Sequence, residues 1–279
     1  MDKFEFLSVK TLSEALEAIN RFPEVRVVSG ATNVMNYIRA GKIKACTLVD
    51  ISKLDDLRYI KYEDGKVKIG GLTRLVQIAE SDIIKEYAPA LYQAAQVFAD
   101  PNTRNNATIA GNICDASPAA DTAPSLLVFD AVVTLESVNG KREVAITDFF
   151  KGVGRTAREN NELLTHIEFA PAKNSGFYKL GMRNMMAISV VTSAAAVELD
   201  ADGVVTSAKI ALGSVAPTPK RAVNAEAALV GKKLDEAAYE SIAELVRGDI
   251  SPIDDVRATR AYRLGVAPVV VKHSLEAAK

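Results

Sequence analysis

The stretch ATIAGNICDASPAADTAP, residues 107–124, decides how the chain is read. It consists of small residues with two prolines and two acids. It has neither the 3.6-residue period of a surface helix nor the alternation of a strand, yet it is too poor in charge for a disordered linker. Its opening, Thr108-Ile-Ala-Gly-Asn112, is a short polar segment around a glycine. Small residues in such number suit a backbone that must lie close against something which larger side chains would push away.

Some eighty residues earlier stands a second segment of this kind, Val27-Val-Ser-Gly-Ala-Thr-Asn33. A strand that ends in small residues before a helix exposes backbone N–H groups, and a pyrophosphate can approach them closely. Neither segment is GxGxxG or a P-loop, so a Rossmann site or an NTPase has no support. Either one alone reads as turn chemistry. The two together suit a diphosphate held between two lobes by hydroxyls, amides and backbone donors, with no lysine or arginine inside either loop.

The surrounding pattern is mixed. Thr11-Leu-Ser-Glu14 has the spacing of a capping box, and the helix after it ends at Phe22-Pro23. A strand over 25–29, a helix over 34–40 closed by Gly41 and a strand over 45–51 make the first fifty residues βαβ-like. Asp64-Gly65 predicts a hairpin within 59–69. Helices are expected over 73–84 and 89–99, and strands over 132–137, 143–146 and 163–169. After a linker at 170–176, three strands at 176–181, 189–199 and 204–213 precede helices around 224–229, 234–246 and 255–264. Strands and helices do not alternate regularly, which predicts an α+β fold: residues 1–170 as one domain, in lobes of about 1–54 and 55–170, and 176–279 as a smaller one with a three-stranded antiparallel sheet and helices.

Composition excludes several classes of function. Among 279 residues, 34 basic and 35 acidic side chains nearly cancel, so no net field draws the chain to nucleic acid or an anionic membrane. There is no run of eighteen apolar residues and no signal-peptide core, and with only Cys46 and Cys114 as thiols a cytoplasmic setting is expected. Two thiols cannot supply the four thiolates that an iron–sulfur cluster usually needs, so such a cluster is expected on another chain. His166 and His273 lack metal-type spacing. Met182, Met185 and Met186 read as core filling, Lys179 as a snorkelling lysine, and Arg257, Arg260 and Arg263 as a solvated face or a partner contact. Asp121 has the position of a helix N-cap before Ala123-Pro124.

The pair VVSGATN and ATIAGNICDASPAADTAP resembles the two FAD-binding signatures of the flavoprotein (medium) subunits of molybdenum hydroxylases, of xanthine dehydrogenase and carbon monoxide dehydrogenase type. DISKLDDLRYI and KVKIGGLTRL in the first part of the chain, and FYKLGMRNMMAISVV and DDVRATRAYR in the last, extend the likeness over nearly the whole length. The resemblance implies a two-lobed vanillyl-alcohol-oxidase-like, PCMH-type FAD-binding domain. It implies a first FAD loop at Val27, Val28, Ser29, Gly30, Ala31, Thr32, Asn33 and Val34, and a second at Thr108, Ile109, Ala110, Gly111 and Asn112. It further implies that Asp121 bonds the sugar portion, that Phe98 and Leu164 line the cofactor, and that Lys179 lies near the flavin ring.

No residue is assigned as catalytic or metal-ligating, because the flavin does the redox chemistry. The partners implied are a 2Fe-2S small subunit and a large subunit with the molybdenum cofactor, with NAD+ as acceptor and no nucleic acid or membrane. A free-standing FAD oxidoreductase and a cofactor-free scaffold are the alternatives. The family usually has two glycines in each signature, and here Ala31 and Ala110 replace one in each. Alanine does not readily take positive φ, so a backbone that needs it at either place would weaken FAD binding. The absence of a cysteine-bearing insertion argues against the benzoyl-CoA-reductase-like branch.

Overall fold

The computed structural model describes residues 4–184 and 186–279. The first lobe contains β1 (Glu5–Ser8), α1 (Leu12–Arg21), β2 (Val25–Val28), α2 (Val34–Arg39) and β3 (Thr47–Asp50), and its three strands form a parallel sheet in the order β1-β3-β2. The Thr11 side chain accepts the Glu14 amide and starts α1, while Glu14 reaches back to the amide of Lys10. Val9, Ala15, Ile19, Val49 and Ile51 pack with Leu54, Leu72 and Leu163, which ties this lobe to the next.

The second lobe comprises β4 (Ile60–Glu63), β5 (Lys66–Gly70), α3 (Leu75–Glu80), α4 (Asp82–Tyr87), α5 (Pro89–Gln96), α6 (Pro101–Asn106), α7 (Ile109–Cys114), α8 (Thr122–Val128), β6 (Val132–Ser137), β7 (Gly140–Ala145), α9 (Ile146–Phe149), β8 (Phe150–Gly152), β9 (Arg155–Thr156) and β10 (Leu163–Phe169). Five of the strands form an antiparallel sheet in the order β4-β5-β10-β6-β7. Asp64 and Gly65 both have positive φ, 55° and 73°, as a type I′ hairpin requires. The helix expected over 73–84 is broken at Ser81, whose extended backbone and hydroxyl, bonded to the Ile84 amide, start a new helix.

Half of the stretch without visible period, residues 107–124, is helical, and another helix, α6, comes just before it. Asp100 caps α6 through the Thr103 amide with Pro101 in its first turn, Thr108 caps α7 through the Gly111 amide, and α8 follows. α6 and α7 are six residues long, and every residue of α8 is buried, so none of the three displays an amphipathic face.

The last part contains β11 (Ser175–Gly181), β12 (Ser189–Leu199), β13 (Val205–Gly213), β14 (Lys220–Arg221), α10 (Val223–Leu229), α11 (Glu236–Asp249) and α12 (Arg260–Glu276). The sheet has four strands, β11-β12-β13-β14, where three were expected; the added strand is two residues long and pairs through Ala211 with Arg221 and Leu212 with Lys220. One face of this sheet lies on α10, α11 and α12 through Val191, Ala195, Ile210 and Leu212. From the other, Ala194, Ala196 and Ala211 enter the same apolar cluster as α5, α8 and the five-stranded sheet. Nine successive residues of β12 are therefore buried.

Three further expectations are corrected. α12 begins at Arg260 and runs to Glu276 through Pro268, where a helix over 255–264 was expected. Proline cannot donate to the carbonyl of Leu264, and that carbonyl accepts Nε of Arg247 instead, at 3.3 Å. Met182 and Met186 do not fill the core but are 68% and 57% exposed, while Met185 lies outside the described residues. Arg263 is not on a solvated face. It is 3% exposed and donates to the carbonyls of Val190 and Ser214, at 2.6 and 2.8 Å, and to Asp255 at 2.8 Å. Among the described residues no helix is long and apolar enough to cross a membrane.

Asp255 holds the segment before α12 together. Desolvation pulls its carboxyl upward, but bonds from the amides of Arg257 and Ala258 and from Arg263 outweigh this and bring it down to about 2. A depressed carboxyl stabilises the fold fully above the ordinary value of 3.8, and this contribution is lost as pH falls through about 4 toward about 2. Asp255→Asn is expected to be less stable than the wild type at pH 6 by about 1 kcal/mol, with the difference shrinking toward pH 2; urea titrations at several pH values measure it.

Candidate cofactor site

β2 ends at Val28 beneath the start of α7, and the two glycine segments meet there. Ser29 Oγ lies 3.2 Å from Thr108 Oγ1 across 79 positions of sequence. Gly30 runs so close to the end of α6 that a Cβ at this position would stand 1.9 Å from the Asn106 carbonyl oxygen, so any other residue would separate the two lobes. The amides of Gly30, Ala31, Thr32 and Asn33 donate to no acceptor among the described residues. Ala31 has φ of +58°, in the left-handed region, even though it carries a Cβ. The turn thus keeps the geometry a glycine would give it.

The second segment presents fewer free donors. The Ile109 and Ala110 amides are bonded to the carbonyls of Thr73 and Gly71, at 3.0 Å each, and that of Gly111 to Thr108 Oγ1 at 3.1 Å. Ala110 lies within α7, where no positive φ arises, so the alanine there causes no strain. Gly111 is exposed toward the cleft, and Asn112 accepts the Thr122 hydroxyl at 2.6 Å. This segment therefore contributes a close, smooth surface more than a set of amides.

The opposite wall joins α8 to β11 and β12. Lys179 Nζ donates to Asp121 Oδ2 at 2.6 Å and to the Val97 carbonyl at 3.2 Å, and the Ser189 hydroxyl donates to Asp121 Oδ1. Lys179 and Asp121 side chains are 9% and 6% exposed, so the lysine is paired in the wall and does not snorkel to solvent. Asp121 occupies the N-cap position of α8, but its side chain makes no cap bond; both oxygens are taken by Lys179 and Ser189. Desolvation raises its carboxyl above the ordinary value, against the pull of Lys179 and the two hydrogen bonds. Phe98 and Leu164 stand along the same space.

Between the walls lies a cleft of about 510 Å³, within the range of cofactor sites. Every sequence-predicted residue lines it except Val28 and Ile109, which are buried in the apolar interior. Sequence reasoning missed Arg26, Tyr37, Asp115 and Arg158, which also line it. Arg26 and Arg158 put positive charge on the walls although neither loop contains a cation. Arg26, Tyr37 and Arg158 come from a strand, a helix and a connection with no motif of their own, whereas Asp115 lies within the second signature stretch, where nothing in its spacing singled it out. Four unpartnered amides, a glycine cradle that a Cβ would fill and nearby cations fit the diphosphate of FAD. Burial pushes the Cys114 thiol, also in the cleft, up to about 11, which keeps it protonated at neutral pH.

Residues 2–172 match the family described as FAD binding domain in molybdopterin dehydrogenase, and residues 176–278 match the carbon monoxide dehydrogenase flavoprotein C-terminal domain. The chain is 34% identical to the xanthine dehydrogenase FAD-binding subunit of Escherichia coli O157:H7, over 96% of this chain and 94% of that one. It is likewise 34% identical to the nicotinate dehydrogenase FAD-subunit of Eubacterium barkeri, over 94% and 92%. In structure it is similar to carbon monoxide dehydrogenase of Hydrogenophaga pseudoflava, with a TM-score of 0.94 and 30% identity over 99% of this chain and 97% of that one. With residues 2–172 and 176–278 matched and the relatives covered over nearly their whole length, the chain belongs to the FAD-binding subunits of the xanthine and carbon monoxide dehydrogenase type.

Proposed function

We propose that the chain is the electron-transfer subunit of a molybdenum hydroxylase assembly. It takes electrons from 2Fe-2S clusters on a small partner subunit and passes them to an acceptor, NAD+, while a large partner subunit holds the molybdenum cofactor. The names of its relatives, subunit and medium chain, support a multisubunit setting. Two unbridged cysteines suit the reducing cytoplasm. We further propose the division into an FAD-binding domain over 1–170, with lobes of about 1–54 and 55–170, and a second domain over 176–279.

The observation that carries this reading is the meeting of two small-residue segments at Ser29 and Thr108, on a cleft whose other wall is the buried Asp121–Lys179 pair. FAD, when bound, would supply the redox chemistry, pairing electrons delivered singly with a proton from solvent so that they can leave as a hydride. The amides of Gly30 to Asn33 hold the diphosphate, and Gly111 and Ala110 give it room. Asp121 bonds the sugar portion, fixed in direction by Ser189. Lys179 places a positive charge beside the flavin ring, and Phe98 and Leu164 keep water from its faces. Ala110 lies in a helix and needs no positive φ, whereas Ala31 takes positive φ at a strain of about 1 kcal/mol, so of the two glycine replacements only Ala31 bears on how tightly FAD is held.

Purified protein is expected to carry flavin absorbance or to take up added FAD, and a colourless protein that binds none would overturn the reading. Gly111→Leu would put a Cβ 2.9 Å from the Thr108 hydroxyl that caps α7 and fill the cradle beside Ser29, so it is expected to weaken FAD binding by about 10-fold or more and to cost about 1 to 3 kcal/mol of stability; a titration followed by flavin fluorescence and a urea unfolding curve read the two effects. Asp121→Ala strands the Lys179 charge in the wall. It is expected to destabilise the protein by about 3 to 5 kcal/mol, and Asp121→Ala/Lys179→Met to recover much of that in thermal unfolding.

A further inference from the structure

α2 forms one rim of the cleft through Val34 and Tyr37, and none of its residues is buried. An element with so little apolar contact opens at low cost. What reaches across to it is one carboxylate, at the C-terminal end of α7. Asp115 Oδ2 accepts Nδ2 of Asn33 at 2.8 Å, and the Tyr37 hydroxyl donates to Oδ1 and Oδ2 at 3.1 and 3.2 Å. Asn33 and Tyr37 are four residues apart and so share a helix face, and Asp115 lies 78 positions beyond Tyr37 in the other lobe. Burial and the adjacent carboxylate raise the Tyr37 phenol above its ordinary value, so it remains a donor.

A dinucleotide held between two lobes cannot leave until one wall moves. We propose that Asp115, through Tyr37 and Asn33, is a latch that holds α2 across the cleft and sets the rate at which FAD enters and leaves. This rests on the reading of the cleft as the FAD site. A latch has a kinetic signature that a direct ligand contact lacks. Opening it raises the fraction of binding-competent molecules, so uptake and release both accelerate, whereas a lost cofactor contact accelerates release alone.

The test uses apoprotein of the full chain as wild type, Tyr37→Phe, Asp115→Ala and the double variant. Uptake is followed by stopped-flow quenching of FAD fluorescence, and release by transfer of FAD to an excess of an unrelated apoflavoprotein. Tyr37→Phe keeps the ring and deletes one oxygen, so it tests the latch even if Asp115→Ala folds poorly. Uptake and release are expected to rise together, each by about 2- to 10-fold, and the double variant to add little to the larger single effect. Release that quickens while uptake stays at the wild-type rate overturns the latch and makes Asp115 or Tyr37 a direct cofactor contact. Unchanged rates in Tyr37→Phe and Asp115→Ala, with wild type binding FAD, overturn the latch alone. A wild type that binds no FAD overturns both the latch and the cofactor reading.

Discussion

The cofactor cleft depends on how near two backbones can come. At Gly30 the first lobe presses against the end of α6 with no room for a Cβ, and the Ser29 and Thr108 hydroxyls meet beside it. The consequences reach outward. Close approach leaves four amides of the turn facing open space, and it brings α2 within reach of Asp115. It also puts the turn after β2 on the same cleft as the buried Asp121–Lys179 pair. A single methyl group at this point would act on all three.

Electrostatically the two walls differ. The Gly30 side offers partial positive charge from peptide dipoles, which are fixed in direction and cannot titrate. The other side offers a full ion pair in a dry setting, where each charge depends on its partner and on Ser189. Dipoles suit the diphosphate, whose charge is permanent.

Much of this was legible in the sequence, and the failures have physical causes. Short signals with strong local chemistry were readable: Asp64-Gly65 for the hairpin, the Thr11 cap and the strands of 189–199 and 205–213. The helices between 101 and 128 were not, because two are six residues long and the third is buried on every side. β14 is two residues long and exists through its pairing with β13. Within the site, the signatures pointed to the cleft, but the pairing of Lys179 with Asp121 joins segments 58 residues apart, and the Arg263 bonds reach residues 49 and 73 away. Such contacts belong to the tertiary fold and leave no periodic trace.

The shared apolar cluster has a consequence for the order of assembly. Ala194, Ala196 and Ala211 are part of the core that also holds α5 and α8, and Lys179 reaches Asp121 from β11. A nascent chain that has passed only residue 170 has both signatures and the five-stranded sheet, but one flank of its helical layer is still bare. During synthesis the first two lobes can therefore collapse before the cleft has its second wall. The second wall arrives with β11 and the start of β12, so the cleft is complete only once Lys179 and Ser189 have been made and have reached Asp121.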